Sequence, residues 1–391
     1  MTVRANKPAF NVREKLKELT HSIGLKGREL MRAGTAQEAR DLVSAGRKNL
    51  IINGDMRIAQ RGTSFTTAAS GTFAADRWQY ESSTNAVVTV SQVNAWNSGP
   101  YWAQNIKVET TTARSSTAAD NFAQFLYHIE ANDFGRFRFG TSEAKPFTFS
   151  FWVKSNKTGK FPASFQNHNG TRVFPTDYTI TQADTWEKKV IVVPADTSGN
   201  WNLYGNSTGM RFTLMWSMGS NFTAGTNGSW AQAVAYANLT TCPGNQMDEV
   251  GATLEFAQVQ LEEGKNATDF EHRSYGEELA LCQRYCYQIT GGSATFPICN
   301  GSIWDATTFI GVANLPVPLR DPGNIDVQFS AASHVVILSG GSTQDVTNIG
   351  QVSHHFGNQV EFHASVTMTV GNGAWARLKS GTTYIRFVSE L

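Results

Sequence analysis

The sequence predicts a mainly β protein with two antiparallel β-sandwich domains, an N-terminal α-helical segment and a short helix that links the sandwiches. Three observations support this fold class. Short runs of alternating apolar and polar residues recur along most of the chain, separated by turns rich in Gly, Asn, Ser and Pro. Charged residues make up only 17% of the chain, below the roughly 25% of an average soluble domain. Helical periodicity is confined to the opening 45 residues and to a short stretch after residue 274.

Residues 1–48 are predicted to form a helical segment that docks on other proteins. In its first helix, apolar residues recur at a 4-3-4 spacing, which places them on one face as in a short coiled coil. These residues are Val12, Leu16, Leu19 and Ile23. Thr35 and Glu38 form a capping box for a second helix, which contributes Leu42. Neither apolar face can fold alone, so we expect contacts with copies of this chain or with another protein. A helix packed on the chain's own sandwich is the alternative.

Residues 49–272 are predicted to form the first β-sandwich. Five runs have the alternation or the apolar character of strands, namely residues 86–92, 147–153, 189–193, 210–216 and 253–261. Turn-forming clusters such as residues 97–100 and 196–200 separate them. Trp78 and Trp152 lie in strand-like runs and are expected in the core. Many short strands with regular turns indicate an antiparallel fold in which each sheet buries one face against another.

A linking helix is predicted at residues 273–288, because Ser274 and Glu277 form a capping box. This helix is expected to continue to about Tyr287. Residues 289–391 then return to strand patterns, at 335–338, 360–370 and 383–388, which predicts a second sandwich. The segment 315–322 contains three prolines and cannot be a central strand, because proline has no N–H donor. It is expected at an edge or in a crossing between domains.

The charge pattern does not favour a nucleic-acid or membrane partner. A net charge of +1 gives the chain no strong overall field. Residues 1–50 are basic, with 11 Lys/Arg against 5 Asp/Glu, but basic solvent faces are common on helices. No apolar stretch approaches the roughly 18 residues of a membrane span, so membrane insertion is not expected. The polar start of the chain is unlike a signal peptide, which predicts synthesis in a cytoplasm without general secretory export.

No cofactor, metal or catalytic site is predicted. The four cysteines, Cys242, Cys282, Cys286 and Cys299, lack the spacing of metal ligands. Motifs of nucleophilic, metal-dependent and phosphate-binding enzymes do not occur in the sequence. Acidic residues are present, but no spacing singles out the two opposed carboxylates that glycoside hydrolysis needs. We therefore expect a protein that is not an enzyme.

Aromatic residues in polar surroundings make sugar recognition the most economical function. Aromatic rings can stack on the C–H faces of sugars, while neighbouring Asn, Gln, Asp and Arg side chains bind the hydroxyl groups. The candidate ligand-binding residues are Trp96, Tyr101, Trp102, Trp201, Tyr204, Trp304 and Trp375. For each of them, a place in the hydrophobic core is the alternative.

Several segments form a recognisable set in a fixed order. They are NLIINGDMRIAQRG at residues 49–62, DRW at 76–78, TFSFWVK at 148–154, VQLE at 259–262, CQRY at 282–285, PVPLR at 316–320 and EL at 390–391. Together they resemble the tail-fibre family of bacteriophages and prophages, and the resemblance covers most of residues 49–322. It implies a jelly-roll-like sandwich similar to carbohydrate-binding modules, in a virion structural protein that usually forms a homotrimeric fibre.

The resemblance also implies a location and partners. The protein would be made in the host cytoplasm and assembled into the virion, as a tail fibre or another surface fibre. Residues 1–48 would attach it to other tail or baseplate proteins, and residues 289–391 would bind a host surface glycan as a receptor-binding domain. Two alternatives remain open: a structural head, neck or baseplate fibre or connector without receptor contact, and a polysaccharide-degrading tailspike.

Overall fold

The computed structural model describes residues 47–83, 86–94, 104–114, 116–222, 226–232, 245–292, 295–349, 355–381 and 383–391. The predicted docking residues Val12, Leu16, Leu19, Ile23 and Leu42 lie outside these ranges. Residues 50–391 form one compact unit. Within the described ranges, no helix has the length and apolar character required to cross a bilayer.

Residues 64–263 form the first sandwich from two antiparallel sheets, with strands numbered in chain order. The six-stranded sheet has the spatial order β1 (Ser64–Phe65), β4 (Val87–Asn94), β5 (Gln104–Thr112), β13 (Thr253–Glu263), β7 (Phe147–Ser155) and β10 (Glu187–Val193). The seven-stranded sheet has the order β12 (Ala231–Gln232), β9 (Arg172–Ile180), β8 (Gly159–Asn167), β11 (Thr208–Met218), β6 (Phe122–Glu130), β3 (Trp78–Ser82) and β2 (Thr72–Ala75). A one-turn helix, α1 (Ala131–Phe134), follows β6. The result is a jelly-roll-like sandwich, and it confirms the mainly β, antiparallel part of the predicted fold class.

Aromatic side chains fill the space between these two sheets. In β7, Phe147 and Phe149 are fully buried. The ring centroid of Phe149 lies 4.7 Å from that of Phe212, and the centroid of Trp78 lies 5.0 Å from that of Tyr127. Burial of each such side chain contributes roughly 1.5–3 kcal/mol. Trp78 therefore belongs to the core, as the sequence predicts, whereas Trp152 is only partly buried and lies outside the core, so the prediction for it is wrong.

The linking helix α2 (Tyr275–Gln283) begins where the sequence predicts and ends earlier. The Ser274 hydroxyl accepts a hydrogen bond from the backbone N–H of Glu277 at 3.3 Å, which caps the helix. Cys286 is not helical, because it begins strand β14 (Cys286–Thr290), which pairs with β24 (Tyr384–Val388). The pairing partner is distant in the sequence, so the local helical pattern could not reveal it.

The second sandwich consists of a three-stranded and an eight-stranded sheet around a separate core. The smaller sheet has the order β14, β24 and β17 (Asp326–Phe329). The larger sheet has the order β19 (Ser342–Asp345), β18 (Val335–Ser339), β23 (Gly373–Leu378), β15 (Phe296–Asp305), β16 (Thr308–Asn314), β22 (Gln359–Ser365) and β20 (Asn348–Ile349), and β21 (His355–Phe356) also pairs with β22. Phe309, Phe362 and Phe387 lie in the core between the sheets. Strand β22 stops short of the predicted residue 370, and the proline-containing segment 315–322 forms no strand, as expected.

A buried ionic cluster binds the last residues of the chain to the first sandwich. The Glu390 carboxylate accepts a hydrogen bond from Arg61 Nη2 at 2.8 Å and forms a second ion pair with Arg77. Arg61 also lies 3.6 Å from Asp76, and the Arg77 guanidinium lies 3.5 Å from the ring centroid of Tyr285. We call these five residues the Glu390 junction. Segments 49–62, 76–78, 282–285 and 390–391, which carry the tail-fibre resemblance, therefore meet at one place.

Candidate functional site

The outer face of the eight-stranded sheet carries two exposed tryptophans. Along β15, Ile303 points into the core, so the next residue, Trp304, faces solvent. Along β23, Ala376 is buried and its neighbour Trp375 faces solvent. Trp304 is 69% exposed and Trp375 is 50% exposed. Two of the aromatic residues proposed from the sequence thus lie on one face of adjacent strands.

Trp375 belongs to a row of side chains that crosses five strands. In spatial order the row consists of Leu338, Trp375, Asn300, Val312 and Glu361. Residues directly opposite each other on neighbouring antiparallel strands share a face, with Cβ atoms about 4.5–5.5 Å apart. The Trp375 ring is therefore flanked by the amide of Asn300 on one side and by the side chain of Leu338 on the other.

A second row of outward-facing residues lies beside the first and includes a glycine and a serine. Its members are Gly373, Ser302, Ile310 and His363. A Cβ atom added at Gly373 would meet no heavy atom within 4 Å, so the space above this residue is open. At the far side of the sheet, His363 Nε2 lies 2.5 Å from a carboxylate oxygen of Glu361, which connects the two rows. The part of this row nearest Trp375, Gly373 and Ser302, is therefore small and polar, and Ile310 lies one strand further away.

A charged side chain next to each tryptophan holds that tryptophan in its exposed position. The Arg377 guanidinium lies 4.8 Å from the ring centroid of Trp375, in a cation–π contact that orients the ring while half of it stays exposed. After Trp304, the Asp305 carboxylate accepts hydrogen bonds from the backbone N–H and the hydroxyl of Thr307, at 2.8 and 2.9 Å. The backbone hydrogen bond, followed by the one from the hydroxyl, lowers the pKa of Asp305. These bonds fix the turn that presents Trp304.

The outer surface offers groups that can bind a ligand. Aromatic ring faces, an amide, a hydroxyl and a guanidinium lie on the outer surface. On the inner side of β15, Cys299 is buried, and burial raises the pKa of its thiol to about 12. A thiol with that pKa is protonated at neutral pH and is a poor nucleophile. Among the residues that the structure describes, no group of His, Cys, Asp and Glu side chains could hold a metal ion.

The other aromatic candidates do not join this surface. Trp201 is 7% exposed, its ring centroid lies 4.9 Å from that of Phe139, and its Nε1 donates a hydrogen bond to the carbonyl of Ser198 at 3.0 Å. It is a core residue, because its polar atom is satisfied and its ring is covered, and we do not retain it as a binding residue. Tyr204 belongs to the first sandwich and is 82% exposed beside a shallow pocket that Arg138 also lines. The remaining three, Trp96, Tyr101 and Trp102, lie outside the described residues.

Sequence reasoning missed the polar and small residues of the site. Asn300 and Ser302 carry a usable signal, because they alternate with buried residues and share the strand face of Trp304. No local sequence signal identifies Gly373 and Arg377, because they lie beside β15 only through pairing between strands that are far apart in the sequence. Strand register of this kind depends on the whole sheet and not on a local pattern.

Comparisons with known proteins add similarities of fold only. No family model matches the chain, and no curated protein matches it. Solved structures similar to part of it include the enzymatically active domain of tailspike protein 4 of bacteriophage CBA120, with 14% identity and a TM-score of 0.31 over 55% of this chain and 21% of that chain. The chain therefore spans a small part of that tailspike.

Two further similar structures are carbohydrate-binding modules. The family 11 module of the cellulase Lic26A-Cel5E of Clostridium thermocellum matches with 14% identity and a TM-score of 0.27, over 52% of this chain and 97% of that chain. The module TmCBM61, solved in complex with β-1,4-galactotriose, matches with 10% identity and a TM-score of 0.29, over 56% and 100%. At these identities and TM-scores the similarities carry no argument about what this chain binds.

Proposed function

We propose that this protein recognises carbohydrate without catalysing a reaction, through a surface that we call the C-terminal sheet face. It consists of Trp304, Trp375, Asn300, Ser302 and Arg377. The observation that carries the proposal is the convergence of two exposed tryptophans with an amide, a hydroxyl and a guanidinium on one open face. Sugars present apolar C–H faces and polar hydroxyl groups, so they bind where aromatic rings and a few polar groups converge.

The exposed ring of Trp375 sets the expected size of the effect. An aromatic side chain can bury about 150–250 Å², and half of Trp375 is exposed. Stacking can therefore cover about 100 Å², which corresponds to about 2.5 kcal/mol at 25 cal/mol per Å². The entropic costs of association reduce this gain. We expect the loss of either tryptophan to weaken binding by about 1–2 kcal/mol, or roughly tenfold.

Within a virion, the C-terminal sheet face would act as the receptor-binding surface of a tail fibre or related fibre of a bacterial virus. The tail-fibre resemblance of residues 49–322 and the two-sandwich architecture support this proposal. Residues 1–48 would attach the protein to tail or baseplate proteins, and three copies would form the fibre. Trimeric display would raise the avidity for a repetitive host glycan without any new contact.

Isothermal titration calorimetry of the purified full chain against envelope polysaccharides from a panel of bacteria tests the proposal. Trp375→Ala and Trp304→Ala should each weaken binding roughly tenfold. Tyr204→Ala is the matched control, because it removes an even more exposed aromatic side chain from the first sandwich, and it should leave binding unchanged. No affinity for any polysaccharide would refute the proposal and favour a purely structural fibre. Release of reducing ends would instead indicate a hydrolase.

A further inference from the structure

The backbones that carry the two exposed tryptophans are farther apart than a single sugar ring is wide. Asn300 on β15 lies opposite Trp375 on β23, and Trp304 is four residues further along β15. A strand rises about 3.3 Å per residue, and neighbouring strands lie about 4.8 Å apart, so the backbones beneath the two rings are about 14 Å apart. A ligand that uses both rings must be a chain of several sugar residues.

The surface between the two rings is open and polar. Gly373 lies opposite Ser302, and no heavy atom lies within 4 Å of the position that a Cβ would occupy at Gly373. Asn300 and Ser302 lie on the same side of β15 as Trp304, about 7 Å apart along the strand. Neither side chain makes a hydrogen bond to another residue in the described part of the chain. Hydrogen-bonding groups are thus available along the line that joins the two rings.

A ligand that ran in the other direction, across the strands, would meet fewer groups that can bind it. From Trp375 it passes over Asn300, which both directions share, and then over Val312, an aliphatic side chain, before it reaches Glu361. The Glu361 carboxylate is already paired with His363 at 2.5 Å. A ligand that crosses the strands would also leave Trp304 exposed. The direction along β15 provides a second aromatic ring and unpaired polar groups.

From this geometry we infer that the C-terminal sheet face binds an extended, linear oligosaccharide that runs along β15. One sugar stacks on Trp375, a second stacks on Trp304, and the sugars between them lie over Gly373 and Ser302. The inference rests on the proposed function and adds the length and the direction of the ligand. It assigns one continuous site per chain, rather than two separate sites for single sugars.

Size-fractionated linear oligosaccharides, released by mild acid from a bacterial envelope polysaccharide that the full chain binds, are the probes. Calorimetry should show affinity that rises with the number of sugars and then levels off, with one oligosaccharide bound per chain. In a protein labelled with ¹⁵N at tryptophan, the longer fragments should shift the indole signals of Trp304 and Trp375 together. Trp304→Ala should abolish the gain with length, a loss of roughly tenfold, and leave binding of the shortest fragments unchanged.

Filling the open strip provides a second, independent variant. Gly373→Val places a side chain where no atom lies within 4 Å, and valine suits a strand, so the fold should persist. The variant should weaken binding of long oligosaccharides at least tenfold and spare the shortest ones. Gly276→Val is the matched control, because Gly276 also has open space but lies in helix α2. It should bind like the wild type.

The outcomes separate the two proposals. If no envelope polysaccharide or fragment binds, the proposed function fails and the inference fails with it. If polysaccharide binds but affinity does not depend on length, the inference is overturned and the proposed function stands. The same holds if two fragments bind per chain, or if Gly373→Val, shown to be folded by circular dichroism, binds long fragments as the wild type does.

Discussion

Replacement of Glu390 by glutamine should weaken the Glu390 junction. The carboxylate is paired with both Arg61 and Arg77, and its side chain is only 11% exposed. Burial by itself raises the pKa of Glu390, but attraction to Arg77 and Arg61, together with their hydrogen bonds, outweighs burial and holds the pKa below its ordinary value. Glutamine keeps the shape and one hydrogen-bond acceptor but removes the charge. Two buried guanidinium groups would then lose their shared counterion.

The expected magnitude follows from the burial of the pair. Removal of one partner from a buried ion pair costs about 3–5 kcal/mol, because the opposite charge stays buried without compensation. Asp76 remains 3.6 Å from Arg61 and compensates part of the loss, so we expect the lower end, about 3 kcal/mol. Glu143→Gln is the matched control. Glu143 pairs with Arg138, both side chains are more than half exposed, and the expected cost is below about 0.5 kcal/mol.

Urea unfolding, followed by tryptophan fluorescence and circular dichroism, measures the free energy of unfolding of the two variants and the wild type. The Glu390→Gln variant should unfold at clearly lower urea than the Glu143→Gln variant. If both variants stay within about 0.5 kcal/mol of the wild type, the junction does not depend on the Glu390 charge. The electrostatic reasoning would then be wrong.

The stabilisation that the Glu390 carboxylate provides should decrease as the pH falls. The pKa of Glu390 is lower in the folded chain than its ordinary value of 4.5. Its stabilisation is therefore fully present above the ordinary value and is lost as pH falls through the folded value. Burial raises the pKa of Asp76 despite the attraction of Arg61, and the Glu390 charge raises it further. The effect of burial is common to both proteins, and only the smaller contribution of the Glu390 charge is lost in the variant. The stability difference between wild type and Glu390→Gln should thus shrink below about pH 4.5, and a constant difference would contradict the assignment.

Three further predictions concern buried positions. Phe149→Ala should lower the free energy of unfolding by about 3–5 kcal/mol in urea titrations, because a fully buried ring leaves a cavity. Gly301→Ala should lower the free energy of unfolding by about 1–3 kcal/mol in calorimetry, because the added Cβ would lie 2.0 Å from a carbonyl oxygen of the neighbouring strand. Gly373→Ala, the control, should leave the free energy of unfolding unchanged, because the space at Gly373 is open. Cys286 and Cys299 should resist iodoacetamide until the protein unfolds, since burial raises both thiol pKa values to about 12. Labelling of either thiol in the native protein, seen by peptide mapping, would count against its burial.

Strand positions could be predicted because their signal is local. The alternation at residues 147–153 and 253–261 corresponds to β7 and β13, whose inward side chains form the first core. The start of α2 was equally local, since the cap lies within the first turn. Its end was not local. Cys286 continues a helical pattern in the sequence, but pairing with β24 gives it a strand conformation.

The aromatic candidates show the same division between local and distant information. Trp201 and Trp304 are each followed by a polar residue in the sequence, yet one lies in the core and the other faces solvent. The difference is set by what packs above each ring: Phe139 and other aromatic side chains cover Trp201. Those neighbours come from other strands and loops, so composition around either tryptophan could not distinguish the two cases.

The sequence by itself determined the fold class of this protein, because alternation with a period of two is imposed by each strand separately. Only the tertiary structure decided which side chains meet. Trp375 reaches Asn300, and Glu390 reaches Arg61, through pairings that close long loops. Such pairings are selected by the burial of two complete cores and not by any residue alone, so the binding face and the junction became visible only in three dimensions.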